Sequence, residues 1–374
     1  MTNTKVKVID LLRKNEEHFV FNSLSIKAIH EKYDTEIWVS EDSTYLDELD
    51  VGVKVNHVQV KRSKTYNWII SSFNLSKLIL QNIGENTKII VLSATPIQYT
   101  LISLISMMIP NNIYLFMHGE LAYLKWSSCI GQKIGRLFIK IAMKMGRVKF
   151  ICIGHSIQES LAKIFPKRSF QYVQHPIVSN LCSKGLTVPL TFGSFGIHSQ
   201  DKGSNKVYDL ACCIENMHFT NCKIITVGIS DGSFKYDLHN KVSHYCKGNL
   251  KKQLIAKELF YEFLLKIDVA LIFSNVDEEN DSKYDLISSG VLADCIAFGM
   301  PVIALKNKQL VSYFKKYGEF GFLCDTVNDM AVAVRELSNN PKLILSFKDV
   351  LKKIRKDFEF EMFKSRMNEI INEK

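Results

Sequence analysis

Residues 193–203 read Gly193-Ser194-Phe195-Gly196-Ile197-His198-Ser199-Gln200-Asp201-Lys202-Gly203, the end of a strand-like run followed by a helix-like stretch from about Asn205. Small residues at a strand's carboxyl end let a ligand approach the backbone, and that edge is where open α/β sheets bind. Lys202 lies six residues beyond Gly196, with the reach for a diphosphate. A solvated turn accounts for the same residues equally well. A second stretch, Ser288-Ser289-Gly290-Val291-Leu292-Ala293-Asp294, opens a short helix that Gly299 closes before Pro301 starts a buried strand. The free backbone N–H groups and positive dipole end of such a helix start suit a phosphate. Asp294, one turn further on, can accept hydrogen bonds from ribose hydroxyls. Standing alone, this stretch would be a plain strand-helix-strand unit with an incidental aspartate.

A third stretch is Phe116-Met117-His118-Gly119-Glu120. An imidazole titrating near neutrality suits removal of a proton from a hydroxyl, which makes His118 a candidate general base, with Glu120 to orient it. A structural histidine capping a strand end is the competing reading. The loop Glu17-His18-Phe19-Val20-Phe21-Asn22 and the turn Gly154-His155-Ser156 rank behind it.

These stretches do chemistry only if strands deliver them to one edge, and the pattern along the chain does so. Short β-branched runs alternate with helix-period segments, which argues for parallel sheets covered by helices on both faces. Strands are expected at 6–9, 36–39, 57–60, 88–92, 113–117, 149–153 and 170–173. After a polar, turn-rich passage from His175 to Pro189 the alternation restarts, with strands at 191–195, 223–227, 269–273, 301–304 and 321–323. The 374 residues suit two domains. The expectation is an α/β protein of two Rossmann-like domains, residues 1–180 and 190–340, facing each other across a cleft. Residues 341–374 are expected to form helices packing back on the first domain. Residues 97–109 read as a buried helix, too short to cross a bilayer.

Composition excludes several classes. Hydrophobic residues make up 47% and charged residues 23%, values that rule out a disordered or fibrous chain. The start shows no secretory signal, so a cytoplasmic location is expected. Nine cysteines, with no C-x-x-C pair and no His/Cys cluster at ligand spacing, point to reduced thiols and no metal. Residues 11–22 contain no glycine, so the first strand lacks a G-x-G-x-x-G turn and no dinucleotide cofactor is expected. No module for nucleic acid is evident.

The order of segments resembles the C-terminal half of GT-B-fold glycosyltransferases of the "group 1" kind, over Thr191 to Leu337. That family reads Gly-Arg-Leu, three residues, Lys-Gly after the first strand of this half, matched here by Gly196, Lys202 and Gly203. Ile197 and His198 stand at the Arg and Leu positions. Gly248-Asn249-Leu250 and residues 259–272 resemble the turn, helix and strand before the donor site. Of two glutamates separated by seven residues and followed by Gly-x-Pro-Val-Ile, Asp294 replaces the second and Leu286 the first, with Asp285 the adjacent carboxylate. The resemblance implies a nucleotide-sugar donor whose diphosphate meets Lys202 and the Ser289-Gly290 backbone, and whose ribose meets Asp294. It implies transfer to a glycan or lipid-linked acceptor. A nucleotide-sugar epimerase of the same fold, or an inactive binding subunit, are the alternatives.

The net charge of +10 favours anionic partners. From Tyr123 to Lys149 there are seven basic residues and no acidic one, with Lys133, Arg136, Lys140, Lys144 and Arg147 at helical spacing. Ile134, Leu137, Phe138, Ile141 and Met145 fill the other face. The expectation is that the apolar face packs into the domain while the basic face meets an anionic membrane surface, at the inner face of the cell membrane.

Overall fold

The computed structural model describes residues 4–12, 19–43, 53–60, 65–82, 86–109, 112–177, 185–249, 256–273 and 283–373. They fall into two compact units, Met1–Ile177 with Lys283–Ser288 and Phe358–Lys374, and Val178–Ser282 with Ser289–Asp357. The first unit runs β1 (Lys5–Asp10), α1 (Phe19–His30), β2 (Asp34–Ser40), β3 (Lys54–Val58), α2 (Thr65–Gln81), β4 (Thr87–Val91), α3 (Pro96–Met108), β5 (Ile113–Met117), a 3-10 turn (Gly119–Leu124), α4 (Ile130–Lys144), β6 (Lys149–Ile153), α5 (His155–Ile164) and β7 (Phe170–Val173). The second runs β8 (Leu190–His198), α6 (Lys206–Asn216), β9 (Cys222–Ser230), β10 (Val242–Tyr245), α7 (Lys257–Leu264), β11 (Val269–Ile272), α8 (Gly290–Phe298), β12 (Val302–Leu305), α9 (Lys308–Tyr317), β13 (Gly321–Cys324), α10 (Val327–Asn339) and α11 (Lys342–Phe358). A short 3-10 turn at Lys283–Leu286 and the last helix, α12 (Phe360–Asn372), belong to the first unit.

Every strand pairing in both sheets is parallel. The first sheet has the order β3-β2-β1-β4-β5-β6-β7, the second β10-β9-β8-β11-β12-β13. Such strands are covered on both sides and need apolar side chains on both, as in β5, where Ile113, Tyr114, Leu115, Phe116 and Met117 are all buried. In each sheet the chain leaves two adjacent strands in opposite directions, β1 and β4 in the first, β8 and β11 in the second. The carboxyl ends at these two reversals are where an open α/β sheet opens a crevice.

Helix ends follow their sequences. Thr95 and Gln98 close a capping box on α3, with Pro96 at its first position, and Gly299 ends α8 in the left-handed conformation. In the first unit, α2, α3, α4 and α5 cover one sheet face with Leu75, Ile79, Ile102, Ile139 and Leu161, while α1 and α12 cover the other with Phe21, Ile26, Phe363 and Met367. In the second, α6, α10 and α11 bury Leu210, Val334 and Phe347 on one face.

Several expectations need correction. The third strand starts at Lys54, three residues before 57–60, and β10 went unanticipated because its Val-Ser-His-Tyr carries little apolar signal. Helix α3 is only partly buried, with Leu104, Met107 and Met108 exposed. Helix α4 packs through Gly135, Ile139, Ala142 and Met143; of the apolar face expected of it, Phe138, Ile141 and Met145 are half-buried, and Ile134 and Leu137 are exposed. Small residues decide the contact. A Cβ on Gly135 would lie 3.0 Å from the Tyr123 ring and 3.3 Å from Pro96, and Thr100 Oγ1 donates to Phe138 O at 2.8 Å. Such close approach of α3 and α4 leaves no room for Leu or Phe between them. Among the described residues, no helix is long and apolar enough to cross a membrane.

Candidate functional site

The second unit's crevice begins with β8. Its last residues pair with β9, Gly196 opposite Gly228 and His198 opposite Ser230. Gly196 has φ 95°, a conformation that glycine adopts at no steric cost, and a Cβ there would sit 3.7 Å from Val291 Cγ2 of α8. The strand end and the helix start, two separate signals in the sequence, are thus neighbours. Beyond β8 the loop is tied by its own hydroxyls: Ser199 N–H donates to Ser204 Oγ at 3.1 Å and Lys202 N–H to Ser199 Oγ at 3.1 Å. Lys202 is exposed on this loop.

Ser289 caps α8, its hydroxyl accepting from Leu292 N–H at 3.2 Å, and Gly290 is exposed with nothing within 4 Å of a Cβ placed on it. The start of α8 is therefore open to solvent beside Gly290. Asp294 lies one turn in, half-buried, with no hydrogen-bond partner among the described residues. Burial pushes its pKa up to about 7. Tyr261 is also pushed up, to about 12, first by burial and then by the nearby Asp294 charge. His198, at the family's Leu position, is buried against the Phe234 ring at 5.0 Å, and burial holds it down to about 4. It is a neutral packing residue in the wall behind the loop.

Leu286 is wholly buried in the first unit's core, and Asp285 beside it pairs with Lys125 at 2.9 Å, both side chains nearly out of solvent. The position that the resemblance gives to a first carboxylate is thus given over to packing, and Asp285 to an internal ion pair. Leu250, Glu17 and His18 lie outside the described residues.

In the first unit, His118 follows β5 and is buried, its Nε2 2.6 Å from Leu92 O. A carbonyl needs a donor, so Nε2 carries a proton. Glu120 Oε1 accepts from the His118 backbone N–H at 2.9 Å and from the Tyr99 hydroxyl. The Leu92 carbonyl orients the ring. A further polar residue at this edge, one with no signature motif around it, is Asp10 at the end of β1. It is wholly buried and takes hydrogen bonds from Asn22 Nδ2 at 2.7 Å and from Ser93 Oγ, joining the two strands at the reversal. Its signal in the sequence is that β1 ends an apolar run on a carboxylate. His155 of the Gly154 turn stands half exposed against the Tyr172 ring, 5.1 Å away.

No protein-family model matches the sequence, and no curated protein matches it. Structural comparison does find matches. WaaG, a glycosyltransferase involved in lipopolysaccharide biosynthesis, superposes with TM-score 0.66 at 12% identity, covering 99% of this chain and 100% of that one. TarM does so with TM-score 0.67 at 11% identity over 100% and 99%, and a glycosyltransferase from Rickettsia africae with TM-score 0.63 at 10% identity over 100% of both. A mutant of the S. aureus TarM has been solved with UDP bound, matching 82% of this chain and 59% of that one with TM-score 0.57 at 14% identity. The chain has the fold of GT-B glycosyltransferases.

Proposed function

We propose that this protein transfers a sugar from a nucleoside-diphosphate sugar to an acceptor hydroxyl, with the donor held by the second unit. The observation that carries this is the meeting of Gly196 and the α8 start at the sheet's reversal, in a fold shared with glycosyltransferases. Lys202 and the Ser289-Gly290 amides take the diphosphate, and Asp294 takes the ribose hydroxyls. The acceptor oxygen attacks the anomeric carbon as the bond to the diphosphate breaks. The negative charge that builds on the leaving diphosphate is met by Lys202 and the amides of α8. The acceptor proton passes to His118, whose ring is held by Leu92 O through Nε2. Glu120, by holding the His118 amide, fixes the strand end that carries it.

The acceptor is a glycan or lipid-linked glycan, in keeping with WaaG and its role in lipopolysaccharide synthesis. The basic residues of α4 draw the protein to an anionic membrane surface on the cytoplasmic side, as a peripheral protein.

Thermal shift with UDP and a panel of nucleotide sugars tests the donor. A ligand at a hundred times its dissociation constant adds roughly 2.7 kcal/mol to stability. Lys202→Ala should weaken nucleoside-diphosphate binding about tenfold or more in calorimetry, in line with the ~1.5–3 kcal/mol of a charged hydrogen bond, without lowering the melting temperature of the free protein. Equal affinity in the variant would remove Lys202 from the site.

A further inference from the structure

Helices α2, α3 and α4 lie side by side on one face of the first sheet; each buries apolar side chains such as Leu75, Ile102 and Ile139 against it, and each also exposes large apolar side chains on its outer side. Helix α2 buries Ser71 and Ser72 and exposes Ile69, Ile70 and Phe73, the last at 60%. Helix α3 buries Gln98, Thr100, Ser103 and Ser106 while Leu104 and Met107 stand out and Met108 is 81% exposed. Helix α4 buries Gly135 and Ala142 and exposes Ile130 at 77%, Ile134 and Leu137. The buried hydroxyls have work to do: Thr100 and Ser103 donate to carbonyls of α4, and Ser106 Oγ accepts from Arg147 N–H at 2.8 Å. Large apolar side chains thus stand outward on three adjacent helices at once.

We infer that this outer face enters the interfacial region of an anionic bilayer, its Ile, Leu, Met and Phe side chains reaching past the headgroups while the lysines and arginines of α4 stay among them. This rests on the reading above of the basic α4 surface as membrane-facing, and adds insertion to attraction. Charge selects the occupant. The three helices carry Lys77, Lys133, Arg136, Lys140 and Lys144 and no aspartate or glutamate. Two copies meeting through this face would bring like charges together, whereas an anionic bilayer offers both the apolar layer and the opposite sign. Large apolar side chains exposed together on adjacent helices mark an interaction site.

Co-sedimentation with vesicles of phosphatidylcholine alone and with added phosphatidylglycerol, at low and high salt, separates insertion from attraction. The wild type should bind the anionic vesicles and keep a measurable part of that binding at high salt, because buried apolar area is not screened. Ile130→Ser/Ile134→Ser/Leu137→Ser should bind about tenfold more weakly at low salt and not at all at high salt, with an unchanged melting temperature, since these side chains leave no cavity. A Met108→Trp reporter should be quenched by lipids brominated on their acyl chains beyond the quenching of the wild type. If the triple variant binds like the wild type at both salts and the reporter is not quenched, insertion is wrong, and a salt-sensitive wild type would leave electrostatic docking standing. No binding by the wild type to anionic vesicles overturns both readings. A dimer that the triple variant abolishes, without vesicle binding, gives the face to a second copy.

Discussion

Asp294 enters the proposed donor site as an acid that is half protonated near neutrality, because burial without a hydrogen-bond partner disfavours its charge. Its folded-state pKa of about 7 stands above the unfolded value of roughly 3.9, so the folded state binds the proton more tightly. The stability this residue allows is fully present below about pH 4 and is lost as pH rises towards 7 and through it. Asp294→Asn should flatten the dependence of melting temperature on pH across that window and be the more stable protein at pH 8. Ribose hydroxyls donate better to the ionised form, so nucleotide binding should release protons at pH 7. Calorimetry in two buffers of different ionisation enthalpy reads this directly. Equal proton release in the wild type and the Asn variant would take Asp294 out of the contact.

At the scale of elements, what could be read from the sequence was the order of strands and helices, because parallel strands must be apolar throughout and the helices between them cannot be. The end of β8 and the start of α8 were legible for the same reason, as glycine, serine and lysine interrupting that pattern. What could not be read was which side of a helix turns inward. In α3 and α4 the choice was made by Gly135, Ala142, Thr100 and Ser103, and a count of large apolar residues points the wrong way. Nor did sequence spacing show that Leu286, beside the donor motif, is a core residue of the first unit. Two glycines make the element-level argument testable. Gly228 has φ 138°, and a Cβ on it would fall 1.9 Å from Gly196 O, so Gly228→Ala forces the β8 and β9 ends apart. A loss of about 3 kcal/mol or more is expected, read as a fall in melting temperature, along with loss of nucleotide binding. Gly290→Ala meets nothing within 4 Å and should melt as the wild type does. If diphosphate sits on the α8 start, the added methyl should still weaken it.

At the scale of the whole molecule, the units are not consecutive pieces of chain. The chain completes the first unit only with its last residues, after passing through the second. Helix α12 closes the α1 side of the first sheet, burying Phe363, Met367, Ile370 and Ile371 beside Phe21 and Ile26. It is also tied by polar contacts: Tyr114 Oη donates to Ile371 O at 2.9 Å, Tyr33 Oη to Asn372 Oδ1 at 3.1 Å, and Arg366 Nε to Tyr172 O at 3.2 Å. Full burial of one such apolar side chain is worth about 1.5–3 kcal/mol, so four amount to roughly 6–12 kcal/mol. Domain stabilities of about 5–15 kcal/mol leave little after that loss. Removing residues 359–374 should therefore unfold the first unit. Hydrogen exchange followed by peptide should show β1, β4 and β5 losing protection, while β8, β9 and β12, whose core contains none of the deleted side chains, keep theirs. Retained protection in β1 and β5 of the truncated chain would show that the α1 face is closed without α12.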